Sequence, residues 1–228
     1  MERRALKKEA KTLLNQHFPF FLLLFLPALI FSWLSAGSNV QSPMYVWTNW
    51  DNISGLFSII SGFLLTGAML TAMDSLRKPI EFTESFKKSF RIFENGQYFI
   101  GFICISLLQL MFTVLWMLLF IVPGLIKSIS YSQAFYIYRD HLDNNDPIGY
   151  LEAITESRKL MNGYKADYFV LYLSFILWGM LVLVTLGIAS IWVAPYINLT
   201  LANFYNHLSG QAGSAETTDE NTVLPNDV

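Results

Sequence analysis

Residues 116–139, WMLLFIVPGLIKSISYSQAFYIYR, decide the fold. An apolar run ends at Pro123-Gly124, a pair that punctuates regular structure. A more polar run follows, carrying Lys127, Gln133 and the tyrosines at 131, 136 and 138. The pattern predicts a tight hairpin of two membrane helices that reverses at Pro123-Gly124. Its first arm is greasy all round, and its second arm is shielded by protein neighbours.

The rest of the chain has the same character. Of 228 residues, 54% are hydrophobic and 14% charged, with a mean hydropathy of +0.41. Soluble domains carry roughly 25% charged residues, so the composition is that of a membrane protein. Spans are expected at 18–35, 53–73, 98–122, 125–138, 168–186 and 188–204. The fourth is short for a core of about 30 Å, so it must sit off-centre, be shielded, or extend into the next segment. The first apolar run exceeds the usual signal-peptide core of ~7–15 residues and reads as an uncleaved span.

Three amphipathic segments alternate with the spans. Residues 2–17 put Leu6, Ala10, Leu13, Leu14 and His17 on one face, with Arg3, Arg4, Lys7, Lys8 and Lys11 on the rest. Residues 79–96 carry a stripe of Phe82, Phe86, Phe90 and Phe93, and residues 147–163 a side marked by Tyr150, Leu151, Ile154, Leu160 and Met161. The last two are copies of each other. Each has Pro-Ile, an aromatic three places on and a Glu two further, and residues 6–16 form a weaker third copy. The expected architecture is therefore all-α. It is a six-span transmembrane bundle built from three repeats of interfacial helix plus helical hairpin. It forms one integral membrane domain over 1–208, followed by a disordered acidic cytoplasmic tail at 209–228.

Charge orients the bundle. Of 15 Lys and Arg, five lie in the first amphipathic segment, five between spans 2 and 3, and four between Arg139 and Lys165. All three segments fall on one side, which the positive-inside bias makes cytoplasmic. Both termini are then inside the plasma membrane. Trp33, Trp47, Trp50 and Trp192 fall near the outer face, and Trp116 and Trp178 in the outer half of their spans. Lys127 and Asp51 are the charges left outside. Lys127 begins span 4, where a cation opposes the helix dipole. It needs a snorkel to headgroups, the free carbonyls ending span 3, or Asp51 as a partner.

No span contains Asp or Glu, which a proton-coupled carrier usually needs. His17, His141 and His207 lack metal-ligand spacing, and no nucleophile elbow, P-loop or HExxH is present. Cys104 sits in an apolar run with no base nearby in sequence. No enzyme activity, metal or cofactor is expected, and no nucleic-acid partner. Ser54, Ser58, Gly62 and Thr66 form a small-residue stripe that suits a packing seam. The candidate ligand or lipid contacts are Lys127, Gln133, Gln109, Asn198 and Asp51; the three amides serve either as glue between helices or as the lining of a polar cavity.

The runs VPGLIKSISYSQAFYIYRD (122–140), ESRKLMNGYK (156–165), LSFILWG (173–179), TLGI (185–188) and PYINLTLANFY (195–205) resemble bacterial domain-of-unknown-function family 975. The resemblance implies a multi-span integral membrane protein. That family is distantly similar to the non-catalytic, membrane-embedded part of some glycerophosphodiester phosphodiesterases, so no catalytic residues carry over. Two positions depart from the family pattern. Ala189 stands where glycine is usual, and residues 140–146 form a longer loop. The expected function is a non-enzymatic membrane protein acting through anionic lipid headgroups or a protein or peptide partner, as in envelope assembly or self-protection against membrane-active peptides. The alternative is a small permease or lipid-handling subunit with a polar cavity between spans 3, 4 and 6.

Overall fold

The computed structural model describes residues 3–36, 49–77 and 81–220, and all regular structure among them is helical. The helices are α1 Arg3–Gln16, α2 Phe18–Ala36, α3 Asn49–Arg77, α4 Ser85–Ser89, α5 Gly96–Leu119, α6 Ile121–Tyr131, α7 Ala134–Asp143, α8 Tyr150–Leu160, α9 Lys165–Leu173, α10 Ile176–Val184 and α11 Ser190–Glu220. Four stretches are long and apolar enough to cross a membrane: Phe18–Ala36, Ile53–Arg77, Gly96–Leu119 and Lys165–Val184. The other two expected spans correspond to α6–α7, which is broken, and to the first half of α11. That helix runs past Ser209 to Glu220, into the stretch expected to lack structure. The chain forms two compact units, one of Met1–Ile100 with Val170–Ala202, the other of Gly101–Phe169 with Asn203–Val228.

In the first unit, α2 and α3 form an antiparallel pair. Phe31 meets Phe57, and Ser61 Oγ donates to the Ala28 carbonyl, 2.8 Å away. Near the other end, Phe20, Phe21, Leu24 and Phe25 pack with Ala68 and Ala72, together with Ala10 and Leu14 of α1 and Leu199 of α11. The small-residue seam is shifted from the expected stripe. Ser58 and Gly62 are exposed, and a Cβ on Gly62 would meet nothing. The close approach falls at Gly67, where a Cβ would collide with the Ser89 carbonyl. Ser89 Oγ in turn donates to the Leu24 carbonyl. A four-residue stripe winds off the 3.6-residue helical face, so the packing of α2 and α4 decides which small residues are used.

The helix within the amphipathic segment 79–96 is correspondingly short. The chain leaves α4 at Phe90 for a 3-10 turn, Arg91–Phe93, and Arg91 pairs with the buried Asp74. Ser85, Ser89 and Ile92 face inward, while Phe86, Phe90 and Phe93 point out. The phenylalanine stripe is thus an outward face, and Phe82 alone of the four packs on the core, stacked on His17 at 3.5 Å.

In the second unit, α5 runs antiparallel to α6 and α7. A Cβ on Gly101 would strike the Tyr138 ring, Phe102 meets Phe135, Phe112 meets Tyr131, and a Cβ on Gly124 would strike Met117. The nearer two partners lie in sequence, the nearer they sit to the corner. The hairpin is real, but its corner is Phe120, extended at φ −157°, ψ 137°, rather than Pro123-Gly124. Pro123 falls in the first turn of α6, where a missing N–H costs nothing. Gly124 serves close approach rather than reversal. Helix α8 packs on α6 and α7 through Ala153, Ile154 and Ser157. Leu151, expected on the apolar side, is exposed.

Candidate functional site

The polar groups of the hairpin satisfy one another at a break. Helix α6 stops at Tyr131 and α7 starts at Ala134, so Gln133 N–H loses its place in the helical ladder. It donates instead to Ser157 Oγ of α8 at 3.2 Å, and that hydroxyl donates to the Ser130 carbonyl at 2.8 Å. Gln133 Nε2 donates to Ser132 Oγ at 2.8 Å. Its Oε1 is buried and has no hydrogen-bond partner among the described residues. Gln109 Nε2 donates to the Tyr131 carbonyl, joining the two arms.

Lys127 lies half-buried with Nζ 4.6 Å from the centre of the Trp116 ring. Because α6 begins at Ile121, Lys127 does not stand in the first turn as expected, and its neighbour is the π face of an indole on α5, a partner the sequence did not suggest. Asn198, in the first unit, donates to the Ala194 carbonyl of its own helix at 2.8 Å. The side chain of Asp51 lies outside the described residues.

The far end of α7 is ionic. Arg139, 3% exposed, pairs with Asp143 at 2.8 Å, and Tyr205 OH donates to Asp140 at 2.7 Å. His141 lies 3.2 Å from an Asp146 carboxylate oxygen and 3.1 Å from one of Glu156. Burial works to lower the His141 pKa, but the Glu156 charge and the bonds from both acids outweigh it and hold it above the ordinary value. These contacts tie the start of the 140–146 loop to α8.

A second feature lies wholly in the first unit. Helices α1, α10 and α11 line an open slot of 390 Å³. Leu14, Trp178, Leu181, Trp192, Val193 and Tyr196 form its walls, with Ala189 beside them and Lys11 and Asn15 contributed by α1. The turn between α10 and α11 has two left-handed residues, Leu186 (φ 50°) and Gly187 (φ 92°). Ala189 N–H donates to Thr185 Oγ1 at 3.0 Å there. One turn before Lys11, Lys7 donates to Ser174 Oγ and lies 4.5 Å above the Phe175 ring. Burial, helped by Arg3, pushes the Lys7 pKa down.

The sequence places Lys11 among the cytoplasmic cations, Trp192 near the outer face and Trp178 in the outer half of its span; the structure instead sets both indoles beside Lys11 of α1 and stacks Trp192 on Phe18. The signal that could have linked them is helical spacing: 178 with 181, and 189 with 192, 193 and 196, each on one face.

Residues 118–212 match the model of a family described as Protein of unknown function (DUF975). Over that stretch the chain is similar to DUF975. The match takes in the hairpin arm α6–α7, the ionic cluster of α7 and α8, and the α10 and α11 walls of the slot; Lys11, Asn15 and the start of α5 lie outside it. No curated protein and no solved structure matches the chain.

Proposed function

We propose that this protein crosses the plasma membrane six times, with both termini cytoplasmic, and acts without catalysis by binding lipids or a protein partner within the bilayer. The observation that carries this reading is how its intramembrane amides are used. Gln109, Gln133 and Asn198 all spend their donors on the chain itself. Amides used this way are glue between or within helices, at ~0.6 kcal/mol each, and not the lining of a solute path.

Other features support it. Long faces of α5 and α10 are apolar and exposed, including Leu115, Leu118, Leu177 and Leu183, as lipid contact requires. The antiparallel packing of α5 against α6–α7 favours counting the latter as a crossing. The basic segments would hold anionic headgroups at about 1 kcal/mol per cation near the surface, and the outward Phe86, Phe90 and Phe93 beside Lys87, Lys88 and Arg91 suit the headgroup boundary. Envelope assembly and self-protection against membrane-active peptides both fit such a protein.

The permease reading is favoured by one atom, the unpartnered Gln133 Oε1. Reconstituting the full chain into liposomes separates the two. We expect solute flux no greater than in empty vesicles; flux that Gln133→Leu abolishes would overturn the proposal.

A further inference from the structure

The slot between α1, α10 and α11 has a chemistry that selects its occupant, given the lipid-binding role proposed above. Its walls are aromatic and aliphatic, and its volume of 390 Å³ lies within the range of small-ligand sites, roughly 300–1,000 Å³. The slot is open on one side and its walls are mostly apolar, so a polar solute finds few partners there. A peptide would carry backbone N–H and C=O groups into walls that leave them unpaired, and each unpaired group is costly. An acyl chain carries none.

The one charged side chain on the lining is Lys11. It is exposed and makes no hydrogen bond or ion pair among the described residues. No carboxylate shares the lining to neutralise it. Trp178 and Trp192 present indoles that are 40% and 55% exposed, which suits groups at the boundary between headgroup and hydrocarbon. The lining residues of α10 and α11 follow one another from Trp178 and Tyr196 towards the turn, to Leu181 and Ala189. The lining thus runs along both helices towards the turn, with its cationic group supplied by α1.

We propose that this slot takes one acyl chain of an anionic phospholipid, with a phosphate oxygen of the headgroup paired to Lys11 Nζ. A zwitterionic lipid would fit the same walls but would place its own ammonium close to Lys11 and Lys7, so the site discriminates by charge.

The test uses the full chain in phosphatidylcholine nanodiscs doped with either phosphatidylglycerol or phosphatidylcholine brominated on the acyl chain. Tryptophan quenching is read as the difference between the wild type and Trp178→Phe/Trp192→Phe, which isolates the two slot indoles. Brominated phosphatidylglycerol should quench that component at about five-fold lower mole fraction than brominated phosphatidylcholine, the preference one cation near the surface supports. Lys11→Gln should erase the preference and leave quenching by both lipids, whereas Lys11→Arg should keep it. Ala189→Phe, which fills the slot, should reduce quenching by both.

Equal quenching by the two lipids in the wild type would overturn the proposal, as would a preference that survives Lys11→Gln. So would indoles shielded from both lipids, as a second copy or a peptide in the slot would shield them. Flux is read separately. A chain that carries solute yet prefers phosphatidylglycerol refutes the proposed function and keeps the slot, whereas a flux-free chain with no preference does the reverse.

Discussion

Lys127 Nζ lies 4.6 Å from the centre of the Trp116 ring, across the corner made by Phe120. Lys127 is the seventh residue of α6, beyond the first turn where the helix dipole would oppose it, and the indole face is its nearest compensating group. Cation–π contacts range from about 0.5–1 kcal/mol at exposed sites to about 2 kcal/mol when desolvated. A double-mutant cycle with Lys127→Met and Trp116→Leu should therefore show coupling of about 0.5–1 kcal/mol in detergent unfolding. Additive single effects would mean that the pair contributes nothing.

Two glycines on one helix should behave oppositely. A Cβ on Gly67 collides with the Ser89 backbone, which cannot swing away as a side chain can. Overpacking of this kind costs typically 1–3 kcal/mol, so Gly67→Ala should lower the thermal midpoint. Gly62→Ala meets open space and should hold or raise it, because alanine is the better helix former. Equal effects would show that α4 does not seat against α3 at Gly67.

Stability should depend on pH through His141. Its folded pKa is raised, so the imidazolium is bound more tightly in the folded state. The resulting stabilisation is complete below the unfolded value of ~6.5 and fades as pH rises through the folded value. The unfolding midpoint should therefore fall on going from mildly acid to mildly alkaline pH. Glu156→Gln should shrink that fall, and His141→Asn should flatten it. A slope that persists in His141→Asn would assign it elsewhere.

The helix break at Ser132 and Gln133 separates two roles. Ser157 Oγ accepts from Gln133 N–H and donates to the Ser130 carbonyl. Removing it leaves both groups buried without that partner, so Ser157→Ala should cost about 1–3 kcal/mol. Gln133→Met removes an acceptor with no partner and one bond to Ser132 Oγ, so it should cost only about 0.6 kcal/mol in the same unfolding assay. If Gln133→Met proves as damaging as Ser157→Ala, the Oε1 atom has a bound partner.

The amino-acid order alone determined the local features of this protein. Apolar runs and their periodicity gave helices long enough to cross a membrane, and an antiparallel pair around 116–139, because helical hydrogen bonds and hydropathy are satisfied within a few neighbouring residues. It placed nearly all the cations in three segments for the same reason. The family resemblance carried by 122–205 was legible too, and a family match covers 118–212.

Tertiary packing decided the rest. The corner moved from Pro123-Gly124 to Phe120 because Gly124 is taken up by the approach of Met117. The seam moved from Gly62 to Gly67 because Ser89 docks there. Lys127 found Trp116, and Lys11 came to share a slot with Trp178 and Trp192, which lie far along the chain from it. A periodic pattern shows that a face is apolar, but which distant helix covers it depends on shape and on backbone approach, which only the folded chain brings together.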